Sequence, residues 1–352
     1  MNIVFLLHSG EKNGANVAVI RLADGLRKNN LYLTDKIILI FNKKINPILK
    51  NFCKKFNFKI EHESFLQNIN LSESVLIYNT IFSFYKINSY FLKQFSGSFC
   101  WIHETIDLKN KQFKKEIENY FYGEGTSWDN LINNLINLNG IIYLGKSSKQ
   151  CWESNSTNLK AINSIIFPVP TIPKVEFNLI KKPPKYDFMH YCCIGSVGPR
   201  KNQLYAIKLV ENLTKEGIET KLTIIGMRKY RSNEKNYQER LIEYIKDNNL
   251  NEFIYLREYS EECFNLIANS GTLLITSKCE TFPLVIEEAC LRGMNIFSTK
   301  VGEITNYFNQ NNILTFDLKR DTEKLLKFSN KKNNSISLLQ TIKSKRIELK
   351  EL

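Results

Sequence analysis

The sequence predicts an α/β protein made of two doubly wound parallel sheets in succession. Three observations carry this. Short apolar, β-rich runs alternate with amphipathic stretches along nearly the whole chain, the pattern of strands joined by crossover helices. The alternation pauses once, at Phe167–Pro184, a stretch that holds five of the eight prolines. Beyond it the same alternation starts again. Proline blocks both helix continuation and pairing in a central strand, so the pause reads as a linker. A chain of 352 residues has room for two domains of ordinary size.

Taken in order, the first half shows strand-like runs at Ile3–Leu7, Lys36–Phe41, Val75–Tyr78, Ser98–Ile102, Ile141–Leu144 and Ile162–Phe167. Helical patterns fall at Asn16–Lys28, Ile81–Leu92 and Lys114–Tyr122. The second half offers strands at Phe188–Ile194, Lys221–Ile225, Phe253–Leu256, Thr272–Thr276, Asn295–Ser298 and Ile313–Phe316. Its helices read at Gln203–Lys215, Tyr237–Asn248, Glu261–Ala268, Pro283–Arg292 and Thr322–Phe328. The expected domains are 1–168, a linker at 169–184, 185–330, and a tail at 331–352. In the tail, Ile336, Leu338, Leu339 and Ile342 form one apolar stripe. Two such halves with a hinge would face a cleft across the carboxyl ends of both sheets, where open α/β sheets bind ligands.

Composition excludes several classes. A hydrophobic content of 43% supports packed cores and argues against disorder. No apolar stretch reaches the ~18–20 residues of a membrane span, and the opening M-N-I-V-F-L-L-H-S-G reads as a buried strand rather than a leader. The eight cysteines form no C-x-x-C pair, so free thiols in a reducing cytosol are expected. The net charge of +14 is spread evenly, each half carrying +7. With no localised basic stripe, nucleic acid is not an expected partner. No G-x-G-x-x-G follows the first strand, which argues against a dinucleotide-dependent dehydrogenase. No D-x-D motif or His/Cys/Asp cluster with ligand spacing is present, so neither a metal nor another cofactor is expected.

The most informative stretch is Cys279–Gly293, C-E-T-F-P-L-V-I-E-E-A-C-L-R-G. Glu280 precedes a helix expected to begin at Pro283, a residue favoured at the first helical position. Glu288 lies eight residues on, about two turns along. Between the two acids, the free N–H groups of a helix start make an anion site. Two carboxylates for sugar hydroxyls around a diphosphate-sized anion site suit a nucleotide sugar. Glu287 is expected to be solvated. A surface Glu pair is the commoner meaning of this spacing; the flanking C-E-T-F-P and E-A-C-x-x-G tip the reading toward function.

That segment resembles the E-x7-E signature of family 4 (group 1) glycosyltransferases of the GT-B fold, which have two Rossmann-like domains facing a cleft. Asn13-Gly14-Ala15 after the first strand, Trp101-Ile102-His103-Glu104, and Ile194-Gly195 followed by Arg200-Lys201-Asn202-Gln203 are similar to further family landmarks. The resemblance covers about Met1 to Phe316 and is strongest from Asp187 to Thr299. It implies a retaining, metal-independent, cytoplasmic enzyme that moves a sugar from a nucleoside-diphosphate donor to a glycan or lipid-linked acceptor. A front-face route would let the departing phosphate take the acceptor's proton.

By this resemblance Lys201 belongs to a cation pair at the donor diphosphate. Its usual partner, an Arg directly after the first Gly of the loop, is Ser196 here, and Arg200 is the expected substitute. Fixed cations at a leaving diphosphate lower the barrier. Glu288 would accept the ribose diol, Glu280 the hydroxyls of the transferred sugar, and the N–H groups of Thr281, Phe282 and Leu284 the phosphate or sugar oxygens. Tyr259 falls where the family places the donor base. Gly14 would approach donor phosphate and acceptor, and His103 the donor sugar or an acceptor hydroxyl, with Glu104 orienting it. The resemblance also implies a tail that crosses back to the first domain. Basic-aromatic segments at Lys43–Lys59 and Phe82–Phe95, with a lipid-linked acceptor, suggest peripheral contact at the inner face of the membrane. The alternative is a nucleotide-sugar-binding GT-B protein with reduced or different activity, of epimerase or phosphorylase type.

Overall fold

The structure is a computed structural model, and it describes residues 1–29, 36–41, 44–86, 89–105, 128–170, 172, 185–228, 232–260, 263–267, 269–329 and 338–342. The chain forms two compact units, Met1–Pro173 and Lys174–Leu352. The expected helix at Lys114–Tyr122 lies outside the described residues.

The first unit is a seven-stranded parallel sheet. Its strands are β1 (Asn2–Leu7), β2 (Ile37–Phe41), β3 (Ile60–His62), β4 (Ser74–Asn79), β5 (Gly97–Ile102), β6 (Gly140–Tyr143) and β7 (Ser164–Ile166), in the order β3-β2-β1-β4-β5-β6-β7. The order reverses between β1 and β4, the kind of switch point outside whose carboxyl ends open α/β sheets bind ligands. β1 reads as a continuous apolar run because helices cover both faces of such a sheet. The following helix, Gly14–Lys28, starts two residues earlier than expected because the Asn13 side chain accepts from Asn16 N–H and caps it. Arg27 and Lys28 in its last turn suit the helix dipole.

Several local features differ from the sequence reading. Ile81–Leu92 is not one helix: a 3-10 stretch at Ile81–Lys86 precedes a four-residue helix at Ser89–Leu92. The cause is local. Thr80 sits at φ +94°, its hydroxyl accepts from Phe82 N–H, and Ser83 Oγ donates back to Thr80 O. Such side-chain bonds tighten a turn at the expense of an α-helix. Unread in the sequence were β3 and the helices Pro47–Lys55, Trp128–Ile136 and Lys146–Asn155. The first of these is capped by Asn46 and buries Phe52, with Phe56 and Phe58 buried just beyond it. The aromatics of the basic segment at 43–59 therefore sit in the core and offer no exposed aromatic surface.

The second unit is a six-stranded parallel sheet of β8 (Asp187–Ile194), β9 (Lys221–Met227), β10 (Ile254–Glu258), β11 (Ser270–Ile275), β12 (Asn295–Thr299) and β13 (Ile313–Leu314). The order is β10-β9-β8-β11-β12-β13, with its reversal between β8 and β11. Strand periodicity of two distributes the core. Tyr191, Cys193, Leu222, Ile224, Leu274 and Phe297 pack on one face with Leu209, Val210, Leu241 and Leu325 of three helices. Cys192, Ile225, Leu273, Ile275 and Ile296 pack on the other with Ile286, Ala289, Ile304 and Phe308. Leu338 and Ile342 of the tail bury against that second layer. All eight cysteines are free thiols; Cys151 and Cys263 are half-buried and the other six buried. No helix among the described residues is long and apolar enough to cross a membrane.

Candidate functional site

In the second unit the chain leaves β8 through a tight loop, Gly195–Asn202. Gly195 N–H bonds Ile225 O at 3.0 Å, and Val197 N–H bonds Gly226 O at 3.3 Å. Gly226, at φ +130°, allows this approach: a Cβ there would lie 2.0 Å from Gly195 O. Gln203 holds the loop from below, its amide donating to Ser196 O at 2.9 Å and accepting from Gly198 N–H at 3.3 Å. Asn202 takes the left-handed conformation (φ 53°) that Asn tolerates, and the helix Gln203–Lys215 begins there. Its Leu204 N–H is met by Tyr237 Oη at 3.0 Å.

The segment after β11 is tied to this loop across the switch point. Lys278 N–H donates to Arg200 O at 2.8 Å, Thr276 Oγ1 to Lys201 O at 3.2 Å, and the Arg200 guanidinium to Cys279 O at 2.8 Å. Those bonds converge three donors on one oxygen of Glu280. Lys201 Nζ lies 2.5 Å, Arg200 Nη1 3.0 Å and Ser277 Oγ 2.9 Å from Oε1. Glu280 is 8% exposed. Burial alone would raise its pKa, but the charges of Arg200 and Lys201 and the hydrogen bonds from Lys201 and Ser277 outweigh it and hold the carboxyl at about 2. The Lys201 ammonium shifts down, because burial and the Arg200 charge oppose it more than Glu280 supports it. Two cations thus meet on one carboxylate oxygen at a place where charge is costly.

Two sequence expectations are corrected here. The helix runs Val285–Arg292 with Leu284 as its cap residue, so Pro283 lies ahead of the helix rather than at its first position. Ile286 N–H and Glu287 N–H turn back onto Pro283 O (3.2 Å) and Leu284 O (3.1 Å), and no side chain caps the start. Glu287, expected to be solvated, is 1% exposed. The helix is short and packed nearly all round, with six of its eight residues buried, so it has no broad solvated face. Glu288 beside it is half-buried.

The remaining expected residues of this unit fall as follows. Thr281 is buried, and its carbonyl accepts from Glu303 N–H at 2.9 Å. The Phe282 ring packs edge-on against Tyr307, centroids 5.3 Å apart. Tyr259 follows β10, is 39% exposed, and donates its N–H to Met227 O at 3.2 Å. The Arg228 guanidinium stands 5.0 Å over its ring. Sequence reasoning missed Arg228, Ser277 and Tyr237, and quoted Gln203 only as the end of the Arg200-Lys201-Asn202-Gln203 motif. Only Ser277 carried a signal, being three residues before Glu280.

In the first unit, the carboxyl ends of β1, β4 and β5 hold a different set. Gly14 opens its helix in an exposed position. The loop before it is held by Asn16, which is fully buried and donates to both Ser9 O and Glu11 O at 2.8 Å, and accepts from Asn79 Nδ2 at 3.1 Å. The Asn13 amide reaches Ser9 Oγ (2.6 Å) and His8 Nε2 (3.4 Å). His103, one residue past β5, packs against Trp101 with the rings tilted by 52° and their centroids 4.6 Å apart. Burial, then the charge of His8, push its pKa down to about 3, so the imidazole is neutral at neutral pH and a poor base. Burial raises Glu104 to about 7, against hydrogen bonds from the Ile81, Glu104 and His103 N–H groups and the Thr80 hydroxyl. Its own carbonyl accepts from Trp152 Nε1 at 2.8 Å.

Comparison with known proteins follows this division. Residues 176–332, most of the second unit, match the family model described as "Glycosyl transferases group 1". No curated protein matches the chain. Among solved structures, Anabaena Alr3699/HepE in complex with UDP-glucose is similar at 15% identity and a TM-score of 0.68, over 100% of both chains. An E. coli structure, "Trehalose-6-phosphate from E. coli bound with UDP-2-fluoro glucose", aligns at 9% identity and a TM-score of 0.69 over 99% of this chain and 96% of that one. S. aureus TarM, solved with UDP and alpha-GlcNAc-glycerol, aligns at 15% identity and 0.57, over 82% of this chain and 54% of its own. These likenesses establish a GT-B-like fold of two Rossmann-like α/β units.

Proposed function

We propose that the protein is a retaining, metal-independent glycosyltransferase that moves a sugar from a nucleoside-diphosphate donor, a UDP-sugar, to a glycan or lipid-linked acceptor. One observation carries this reading. Arg200 and Lys201 converge on buried Glu280 at the switch point of the second sheet, within the span that matches the group 1 glycosyltransferases. The choice of UDP follows the similar structures bound to UDP or its sugars.

In this reaction the diphosphate gathers negative charge as the glycosidic bond to it breaks. Lys201 and Arg200 meet that charge, doing what a divalent ion does in metal-dependent enzymes. The N–H groups around Thr281, Phe282 and Leu284 meet the oxygens next to them. The second oxygen of Glu280 reaches hydroxyls of the transferred sugar while Oε1 keeps the cations in place. Glu288 takes the ribose diol, and Tyr259 with Arg228 lines the place of the base. His103, held neutral, serves as a hydrogen-bond partner for sugar or acceptor, and Gly14 lets the acceptor approach. The departing phosphate takes the acceptor's proton, so a base with a pKa near neutrality is not needed on His103. The enzyme would work in the cytoplasm, and a lipid-linked acceptor would draw it to the inner face of the membrane.

The test is a thermal-shift screen of nucleoside diphosphates and their sugars, followed by chelator treatment and anomeric analysis of the product. Stabilisation by UDP and a UDP-sugar, with transfer that survives chelator and retains configuration, is the expected result. A strict metal requirement would refute the metal-free mechanism. A second reading, a nucleotide-sugar binder of reduced or different activity, is favoured by Ser196 in place of the usual Arg. Tight donor binding with neither transfer nor hydrolysis would select it.

A further inference from the structure

Behind the Glu280 loop lies a segment that the proposed reaction does not use. β12 ends at Thr299, and the chain turns through Val301, Gly302 and Glu303. Three of its contacts fall on the Ser277–Thr281 backbone. Thr299 Oγ1, fully buried, donates to Ser277 O at 2.5 Å, with Ile275 O at 3.4 Å. Glu303 N–H donates to Thr281 O at 2.9 Å. Gly302 lies flat against the same loop at φ +52°, where a Cβ would stand 2.2 Å from Glu280 O and 2.3 Å from Thr281 O. A side chain at that point is excluded both by conformation and by space.

These contacts form a relay. The Thr299 hydroxyl fixes the Ser277 carbonyl, the Ser277 hydroxyl bonds Glu280 Oε1 at 2.9 Å, and Gly302 and Glu303 fix the backbone on either side of the Glu280 carbonyl. The cation loop is tied to the same segment by Lys278 N–H on Arg200 O, Thr276 Oγ1 on Lys201 O and Arg200 on Cys279 O. The acid is thus held at two levels: Lys201, Arg200 and Ser277 on its carboxylate, and Thr299, Gly302 and Glu303 against the backbone that carries it.

We propose that Thr299 and Gly302 are positioning residues for sugar recognition: they set the direction of the Glu280 carboxylate, and with it the preference for a nucleotide sugar over the bare nucleoside diphosphate. This rests on the reading of Glu280 as the contact to the transferred sugar. Thr299→Val keeps the shape of the side chain and removes its hydroxyl, and Thr299→Ser restores the hydroxyl. Gly302→Ala is expected to disturb folding as well, so the Thr299 pair decides.

The experiment measures binding of UDP and of the tighter of UDP-glucose and UDP-N-acetylglucosamine to the full chain by calorimetry. Thr299→Val should weaken the sugar nucleotide roughly tenfold, the scale of one lost buried hydrogen bond. It should leave UDP within about twofold, and Thr299→Ser should recover the wild-type ratio. Equal weakening of both ligands would mean a general structural role and would overturn the proposal, as would an unchanged ratio. If the wild-type chain binds neither ligand, the reading of the site itself fails, and that is seen before any variant is made.

Discussion

The carboxyl edges of the two sheets share a strand-order logic yet hold opposite kinds of group. The second unit places two cations and a carboxylate held at about 2 within bonding distance of one another. The first unit places a histidine pushed down to about 3, a glutamic acid raised to about 7 and a buried asparagine pair. Among the described residues the two acids differ in whether opposite charges lie beside them to offset desolvation. Where they are, Glu280 stays ionised. Where they are not, the groups shift toward their neutral forms. In the proposed reaction the charged edge suits a diphosphate leaving group, and the neutral edge suits hydroxyls that need hydrogen bonds rather than charge.

Removing a cation tests this contrast most severely. Lys201→Ala should slow turnover by more than tenfold, toward the ~10²-fold typical of a lost charge-stabilising donor, in single-turnover assays. Undiminished activity would move the role to Arg200. Next is stability. Glu280→Ala leaves two cations without their carboxylate, a change that costs about 3–5 kcal/mol when fully buried. Because the Arg200 side chain is 42% exposed, about 2 kcal/mol is expected after solvent screening, read by denaturant unfolding. Glu280→Gln should cost less. His103→Ala in the neutral edge should cause no comparable electrostatic loss.

Acidity separates the two edges by sign. Glu280 is depressed in the fold, so its contribution is present above the unfolded carboxyl value of 4.5 and is lost as pH falls through about 2. Glu104 is raised, so stability is highest where it is protonated in both states and falls as pH rises from 4.5 to about 7. The slope is up to about 1.4 kcal/mol per pH unit. Glu104→Gln should flatten that slope in unfolding curves taken across this window, and an unchanged slope would sink the assignment. The smallest effect concerns the ribose. Glu288→Gln should raise donor KM several-fold and lower kcat/KM; unchanged donor kinetics would remove the assignment.

Much of the fold could be read from residue patterns, and the reason is the sheet. Strands buried on both faces must be apolar throughout, so runs such as Val4–Leu7 and Leu273–Ile275 stand out. Among the elements that escaped, β3 is three residues long, and the helix Pro47–Lys55 is short and shows only Leu49, Phe52 and Cys53 as its buried stripe among Lys and Asn. Ile81–Leu92 misled for another reason. Its apolar spacing is helical, but the Thr80 and Ser83 hydroxyls turn the chain tightly. Glu287 and Glu288 are alike by type and adjacent in sequence. Only packing around the eight-residue helix decides that the first is buried and the second half-exposed.

What the sequence determined alone was the α/β alternation, the proline-rich break, and the presence of Arg200, Lys201, Glu280 and Glu288 in loops and helix starts that follow strands. Local propensity and hydrophobic period act over a few residues, so they can be read there. Only the tertiary structure decided that Arg200, Lys201 and Ser277 meet on a single oxygen of Glu280, and that Thr299 and Gly302 brace it from behind. Those partners lie between 3 and 80 residues away. No local rule relates them; the parallel order β8-β11-β12 brings their strand ends side by side, and burial then sets which of their charges survive.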